Sequence, residues 1–386
     1  MHASGLRSGL ARVVAVATAL LALLAAPAVA HDSRFTTLQL EVVGARVEGR
    51  WEIHPTDARI ALGLDPDLEG ESAWRELQGR EAALRGLLVR GLTLYSGSGS
   101  CPVSAPPGLE RSADGELAWL RVRARCAAEI AKLTIDYGLM FDLDPDHRAY
   151  FSVRDALLTH AGVLRADEPR IALDIRRLDR WRTFSDYTRE GVWHILTGFD
   201  HLLFLTALLL PAPLLREAGR WRRRPGWGAT SREVVKMVTA FTLAHSLTLA
   251  LSVLGGVGLP SRAVESAIAL SVWLAAWNNL RPFLPERGAQ LAFALGLVHG
   301  LGFAGALEQM GLPRDARGLA LASFNLGVEA GQLALVALLL PVLLAASRRS
   351  GYVRGVLQGG SFVVAWIAAL WVLERLLGQR LWRWNP

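Results

Sequence analysis

Two patterns of polarity divide this chain near residue 185. Beyond it, apolar blocks of about 20 residues recur, each long enough to cross a bilayer core. Six such blocks can be drawn, at about 190–211, 233–256, 262–280, 289–309, 318–346 and 355–377. Before residue 185, apolar and polar residues interleave at shorter periods. Thr36–Val43 alternates, Arg46–Ile53 alternates again, and Gly44-Ala45 lies between them, which is the signature of a β-hairpin. Ser72–Leu88 has helical periodicity through Trp74, Leu77, Leu84 and Leu88. Leu92–Tyr95, Leu117–Val122, Leu133–Tyr137, Ala149–Val153 and Ile171–Ile175 read as further strands. The expected fold therefore has two parts. A β-rich, sandwich-like domain with one helix covers 31–180, and an all-α, six-span transmembrane helix bundle covers 186–380.

The first thirty residues set the orientation. Arg7 and Arg12 precede an apolar run from Val13 to Ala25, and Pro27-Ala28-Val29-Ala30 supplies a cleavage site. This pattern predicts a secretory signal peptide over 1–30, the alternative being an uncleaved anchor. Cleavage after Ala30 would make His31 the mature N-terminus, where its amine and imidazole can chelate a metal together. It is otherwise an incidental first residue. Cys101 and Cys126 are the only cysteines, and export to an oxidising compartment favours a disulfide between them over two free thiols.

An exported first domain makes the first span run inward. The next loop then holds Arg216, Arg220, Arg222, Arg223, Arg224, Arg232 and Lys236, and later inner loops hold Arg281, Arg287, Arg348, Arg349 and Arg354. The outer loops hold only Arg262, Arg314 and Arg317. This asymmetry matches the positive-inside rule. It predicts a multi-pass inner-membrane protein with its N-terminal domain and C-terminus on the periplasmic side.

The net charge of +7 and pI near 10.1 change the picture little. Arginine supplies nearly all of the positive charge, in short loops between apolar blocks, and no basic stripe is interleaved with aromatics. Nucleic acid is therefore not an expected partner.

Seven ionisable groups fall at membrane depth: His194, Asp200, His201, His245, Glu265, His299 and Glu329. At about 1–3 kcal/mol each they would strain the fold unless they pair or serve a site. His194 and His201, seven apart, share a helix face; Asp200 points ~100° away on an ideal helix, and Gly198 can loosen the turn. Nitrogen and carboxylate donors suit a divalent transition metal; singly, each group is more often interhelical glue. Ser246 follows His245, and Asn325, Glu329 and Gln332 form one polar stripe. The absence of cysteine at membrane depth and the peripheral positions of Met237 and Met310 disfavour Cu(I), and magnesium prefers oxygen ligands. Outside the spans, Asp142-Leu-Asp144-Pro-Asp146-His147 lacks the calcium-loop pattern and reads as a solvated turn, while His54 and His160 are uninformative.

These motifs resemble the HupE/UreJ membrane proteins associated with hydrogenase and urease gene clusters. The resemblance rests on His194-x5-Asp200-His201 with Gly198, on Phe241-Thr-Leu-Ala-His245-Ser246 and on Val264-Glu265. It continues through His299-Gly300-x-Gly302-Phe303 and Phe324-Asn325-x-Gly327-Val328-Glu329-x-Gly331-Gln332. It covers essentially the whole membrane part and looks close to the branch with an exported N-terminal domain. It implies a nickel, or cobalt, permease in which the first His/Asp/His motif is critical. This chain has Ile195 where the family usually has proline, and Leu205 where it usually has methionine.

The expected substrate is a divalent metal, Ni²⁺ first, with Co²⁺ or Zn²⁺ next. The expected ligands are His194, Asp200, His201, His245, His299 and Glu329, supported by Glu265, Ser246, Asn325 and Gln332, with His31 as an external capture ligand. Two other functions use the same side chains: an intramembrane metal-dependent hydrolase, and an assembly factor that hands metal to a metalloenzyme maturation system.

Overall fold

The first two alternating runs pair as their pattern dictates. Strand β1 (Phe35–Val43) runs antiparallel to β2 (Arg46–Ile53), and Gly44 at φ 60° makes the turn. The computed structural model describes residues 35–377 apart from 66–67, 69, 98, 113–116, 157, 178, 218–219, 256–260, 284–287 and 303–313. The expected signal peptide and His31 lie outside the described residues.

After β2, His54 caps α1 (Pro55–Ala61), its Nδ1 accepting from the Thr56 amide at 3.3 Å. The single helix expected over Ser72–Leu88 is two, α2 (Gly70–Gly79) and α3 (Glu81–Gly91). The break follows Gly79, a poor helix former, with Arg80 at φ −108°, ψ 12°. Then come β3 (Leu92–Ser96), β4 (Gly99–Cys101), β5 (Val103–Ser104), β6 (Glu110–Arg111), β7 (Ala118–Arg125), β8 (Lys132–Tyr137), β9 (Arg148–Arg154), β10 (Thr159–Leu164) and β11 (Arg170–Asp174). They build a seven-stranded sheet, ordered β10-β9-β1-β2-β7-β5 with β6 beside β7, and a four-stranded sheet, β11-β8-β3-β4.

Both sheets contribute to one core. Leu38, Trp51 and Val122 come from the larger sheet, and Leu94, Ile135 and Ile171 from the smaller. Tyr137 of the smaller sheet is buried with its hydroxyl 2.6 Å from Thr36 Oγ1 and accepting from Trp51 Nε1 at 3.0 Å. These bonds satisfy polar atoms that burial would otherwise penalise. Cys101 in β4 is disulfide-bonded to Cys126, just after β7, so the bridge ties one sheet to the other. The Asp142–His147 segment is a turn in which Asp144 Oδ1 accepts from the Asp146 amide at 2.9 Å.

The chain divides into two compact units, the main break falling at Tyr187/Thr188 inside α4 (Arg180–Thr197) and a short later stretch ending at Ala320 grouping with the first. The second unit is helical. It continues with α5 (Phe199–Leu209), a hairpin of β12 (Leu214–Glu217) and β13 (Arg220–Arg223), and then α6 (Trp227–Gly255), α7 (Ser261–Leu280), α8 (Gly288–Gly302) and α9 (Arg314–Ala346). A π-helical turn over Val353–Gln358 leads into α10 (Gly359–Leu377).

Three of these segments are long and apolar enough to cross a membrane: Trp227–Ser252, Arg317–Ala346 and Val353–Leu377. The pair α4–α5, bent by 69°, makes up to four. Helices α7 and α8 stand where the other two apolar blocks fall. With Glu265, Asn278 and Asn279, α7 is more polar than the three, and α8 has 15 described residues. The membrane-unit core includes Phe204, Val238, Phe241, Val272, Ala276, Leu340 and Val364. Helices α6 and α8 cross closely because a Cβ on Gly300 would overlap the His245 carbonyl oxygen and the Thr248 hydroxyl.

Candidate metal centre

The site begins at the break between α4 and α5. Gly198, at φ −69° and ψ 98°, is extended rather than helical, yet the chain stays hydrogen-bonded through it. Its amide donates to the His194 carbonyl at 2.8 Å and its carbonyl accepts from the Leu202 amide at 3.0 Å. The first block is therefore not one straight helix. The break sets aside the ~100° offset an unbroken helix would impose on Asp200, and Asp200 Oδ1 lies 3.0 Å from His201 Nδ1. The His194 and His201 rings remain close, with centroids 4.7 Å apart. A Cβ on Gly198 would sit 2.9 Å from His201 Nδ1 and 3.2 Å from Asp200 Oδ1, so no larger residue fits without displacing the pair.

Helices α6 and α8 bring two more imidazoles to His201. The His299 ring centroid is 5.2 Å away and that of His245 is 6.2 Å away. Two overlapping donor sets result: His194, His201 and His245, and Asp200, His201 and His299. Within each, one ligand atom per residue lies within 4.8 Å of the others. Phe204 and Phe241 wall the cluster, with the His299 ring 4.8 Å from the first and 5.4 Å from the second. His201, His245 and His299 are at most 6% exposed.

Hydrogen bonds decide which nitrogen each of these imidazoles offers. The Asp200 carboxylate only accepts, so His201 donates from Nδ1 and its lone pair is on Nε2. Asn325 gives its amide nitrogen to the Leu321 carbonyl at 2.9 Å, which turns its oxygen toward His245 Nδ1 at 3.4 Å. His299 Nε2 lies 2.8 Å from Ser271 Oγ. The opposite nitrogens, His201 Nε2, His245 Nε2 and His299 Nδ1, are buried with no hydrogen bond among the described residues. Buried polar atoms are normally satisfied, and three such nitrogens in one cluster fit a metal cup oriented by outer hydrogen bonds.

Among the described residues, neither donor set includes the other expected residues. Glu329 on α9 accepts from Thr239 Oγ1 at 3.2 Å, and Gln332 from Thr242 Oγ1 at 2.9 Å, so both belong to α6–α9 contacts. Glu265 meets Arg375 Nε at 3.2 Å and is partly exposed. Ser246 is half-buried beside His245. Ile195 is buried in α4 against α9, its Cβ 3.3 Å from where a Cβ on Gly331 would stand. Sequence reasoning missed Ser271, which has no motif around it, and the role of Phe204 and Phe241 as an aromatic wall, although Phe241 opens one of the motifs.

Residues 171–375, more than half of the chain, match the family described as HupE / UreJ protein. The match covers the whole of both donor sets. No curated protein matches the chain.

Proposed function

Since the chain belongs to the HupE/UreJ family, we propose that its buried histidine cup passes a divalent transition metal across a bilayer, Ni²⁺ first, with Co²⁺ or Zn²⁺ next. The observation that carries this reading is the set of three buried imidazole nitrogens without hydrogen bonds among the described residues, beside Asp200. Neutral imidazole is a ligand for nickel, cobalt and zinc, and both donor sets lack sulfur, which disfavours Cu(I). The family is of transporter type, and the apolar helices support a membrane protein.

In this reading six spans cross the inner membrane, with the N-terminal domain and the C-terminus on the periplasmic side. His31 gathers metal there, the His194–Asp200–His201 group and its two partner histidines pass it inward, and a metalloenzyme maturation system takes it up. Uptake of radioactive nickel into proteoliposomes tests the proposal. His194→Ala, Asp200→Ala and His201→Ala are each expected to abolish uptake while leaving the protein folded and inserted. Wild-type uptake in all three sinks the reading; turnover of a lipid amide without metal flux replaces it with a metallohydrolase.

A further inference from the structure

We propose that Ser271 is a positioning residue for the cup: it holds His299 in the tautomer protonated at Nε2 and so presents the Nδ1 lone pair to the metal. The inference rests on the metal reading above for its consequence, but not for its geometry. Ser271 lies on α7, 2% exposed, and carries one hydroxyl hydrogen. Two acceptors compete for it. The Ile268 carbonyl oxygen is 2.7 Å away and His299 Nε2 is 2.8 Å away.

A carbonyl oxygen cannot donate, so two oxygens 2.7 Å apart require the serine hydrogen between them. The hydrogen on the second bond must then come from the imidazole. His299 Nε2–H donates to Ser271, and Nδ1, buried and without a hydrogen bond among the described residues, keeps its lone pair. The opposite tautomer would place an N–H in the cup and a lone pair against a serine oxygen that has no hydrogen left to give. Ser271 thus does for His299 what Asp200 does for His201 and Asn325 does for His245. Outer partners of this kind change metal affinity by about 10–100-fold when removed.

Nitrogen-15 NMR of the histidine-labelled protein in lipid nanodiscs, with His299→Gln to identify the signal, reads the tautomer without any metal. The expected result is a protonated Nε2 and a bare Nδ1 at His299, lost to a mixture in Ser271→Ala. A protonated Nδ1 in the unsubstituted protein overturns the proposal. Nickel uptake then reads the consequence. Ser271→Ala is expected to raise the half-saturating Ni²⁺ concentration at least about tenfold. Ser266→Ala, which removes a similar serine-to-backbone bond at an exposed position of α7, is expected to leave it unchanged. Equal half-saturation for Ser271→Ala and the unsubstituted protein also overturns it. Absence of nickel binding and uptake in the unsubstituted protein instead defeats the metal reading, and leaves the tautomer to be decided by NMR.

Discussion

Gly300→Ala adds one methyl group where α8 meets α6, and the structure fixes what it must displace. The new Cβ would overlap the His245 carbonyl oxygen and the Thr248 hydroxyl, and would lie 3.0 Å from the His245 carbonyl carbon. Carbon atoms pack at about 3.5–4.0 Å, so the helices must separate by about 1 Å. Backbone offers no rotamer through which to escape. Overpacking of this kind costs about 1–3 kcal/mol. The functional cost is larger, because His299 precedes Gly300 directly and His245 is the residue struck. A shift of about 1 Å between reacting groups can lower a rate about 100-fold. Nickel uptake into proteoliposomes is therefore expected to fall about 10–100-fold, with a lower unfolding temperature. Gly318→Ala is the control. It lies in α9 with nothing within 4 Å of where the added methyl would stand, and a helical Gly→Ala change there should stabilise by up to about 1 kcal/mol. If Gly300→Ala behaves like Gly318→Ala in both assays, the close crossing does not hold the two histidines in place.

Replacing Cys101 and Cys126 by serine opens a loop spanning 25 residues of sequence, and the chain-entropy relation gives about 3–4 kcal/mol of lost stability. Calorimetry should show the N-terminal unit melting roughly 10 °C lower; an unchanged transition would mean that the bridge contributes nothing. Burial, partly offset by Asp144, lowers the His147 pKa from 6.5 to about 4. The unfolded chain takes up this proton first as pH falls, so the contribution is full above pH 6.5 and is lost towards pH 4. The loss amounts to about 3 kcal/mol. Denaturant melts across that window should show a steeper pH dependence in the wild type than in His147→Gln, and parallel curves would refute the assignment. Reporter fusions at Trp384 are expected to be active outside the cytoplasm, and cytoplasmic activity would remove the even number of spans from the proposal.

Strands with one buried face were legible because their side chains alternate. Residues Thr159–Leu164 were not, because all six are buried and no period-two signal survives. The split of the helix over Ser72–Leu88 had a local signal in Gly79, as did the break at Gly198. The hairpin of β12 and β13 was hidden in a loop whose arginines drew attention to charge alone.

The histidines of the site stood out because ionisable groups are costly in apolar blocks. The closeness of His194 and His201 followed from their spacing, but the approach of His245 and His299 did not, since those two come from separate helices. Glu265 and Glu329 carried the same sequence signal as His245, yet their partners are Arg375 and Thr239. Ser271 shows the converse. A serine in an apolar helix looks ordinary until the imidazole from α8 is seen against it.

X-ray absorption at the nickel edge of the loaded protein in lipid tests the ligand assignment most directly. Imidazole nitrogens at about 2.0–2.1 Å, with their outer-ring scattering and no sulfur shell, are expected. The imidazole contribution should shrink in His201→Ala, because that residue belongs to both donor sets. A sulfur shell, or an identical spectrum in His201→Ala, would contradict the account.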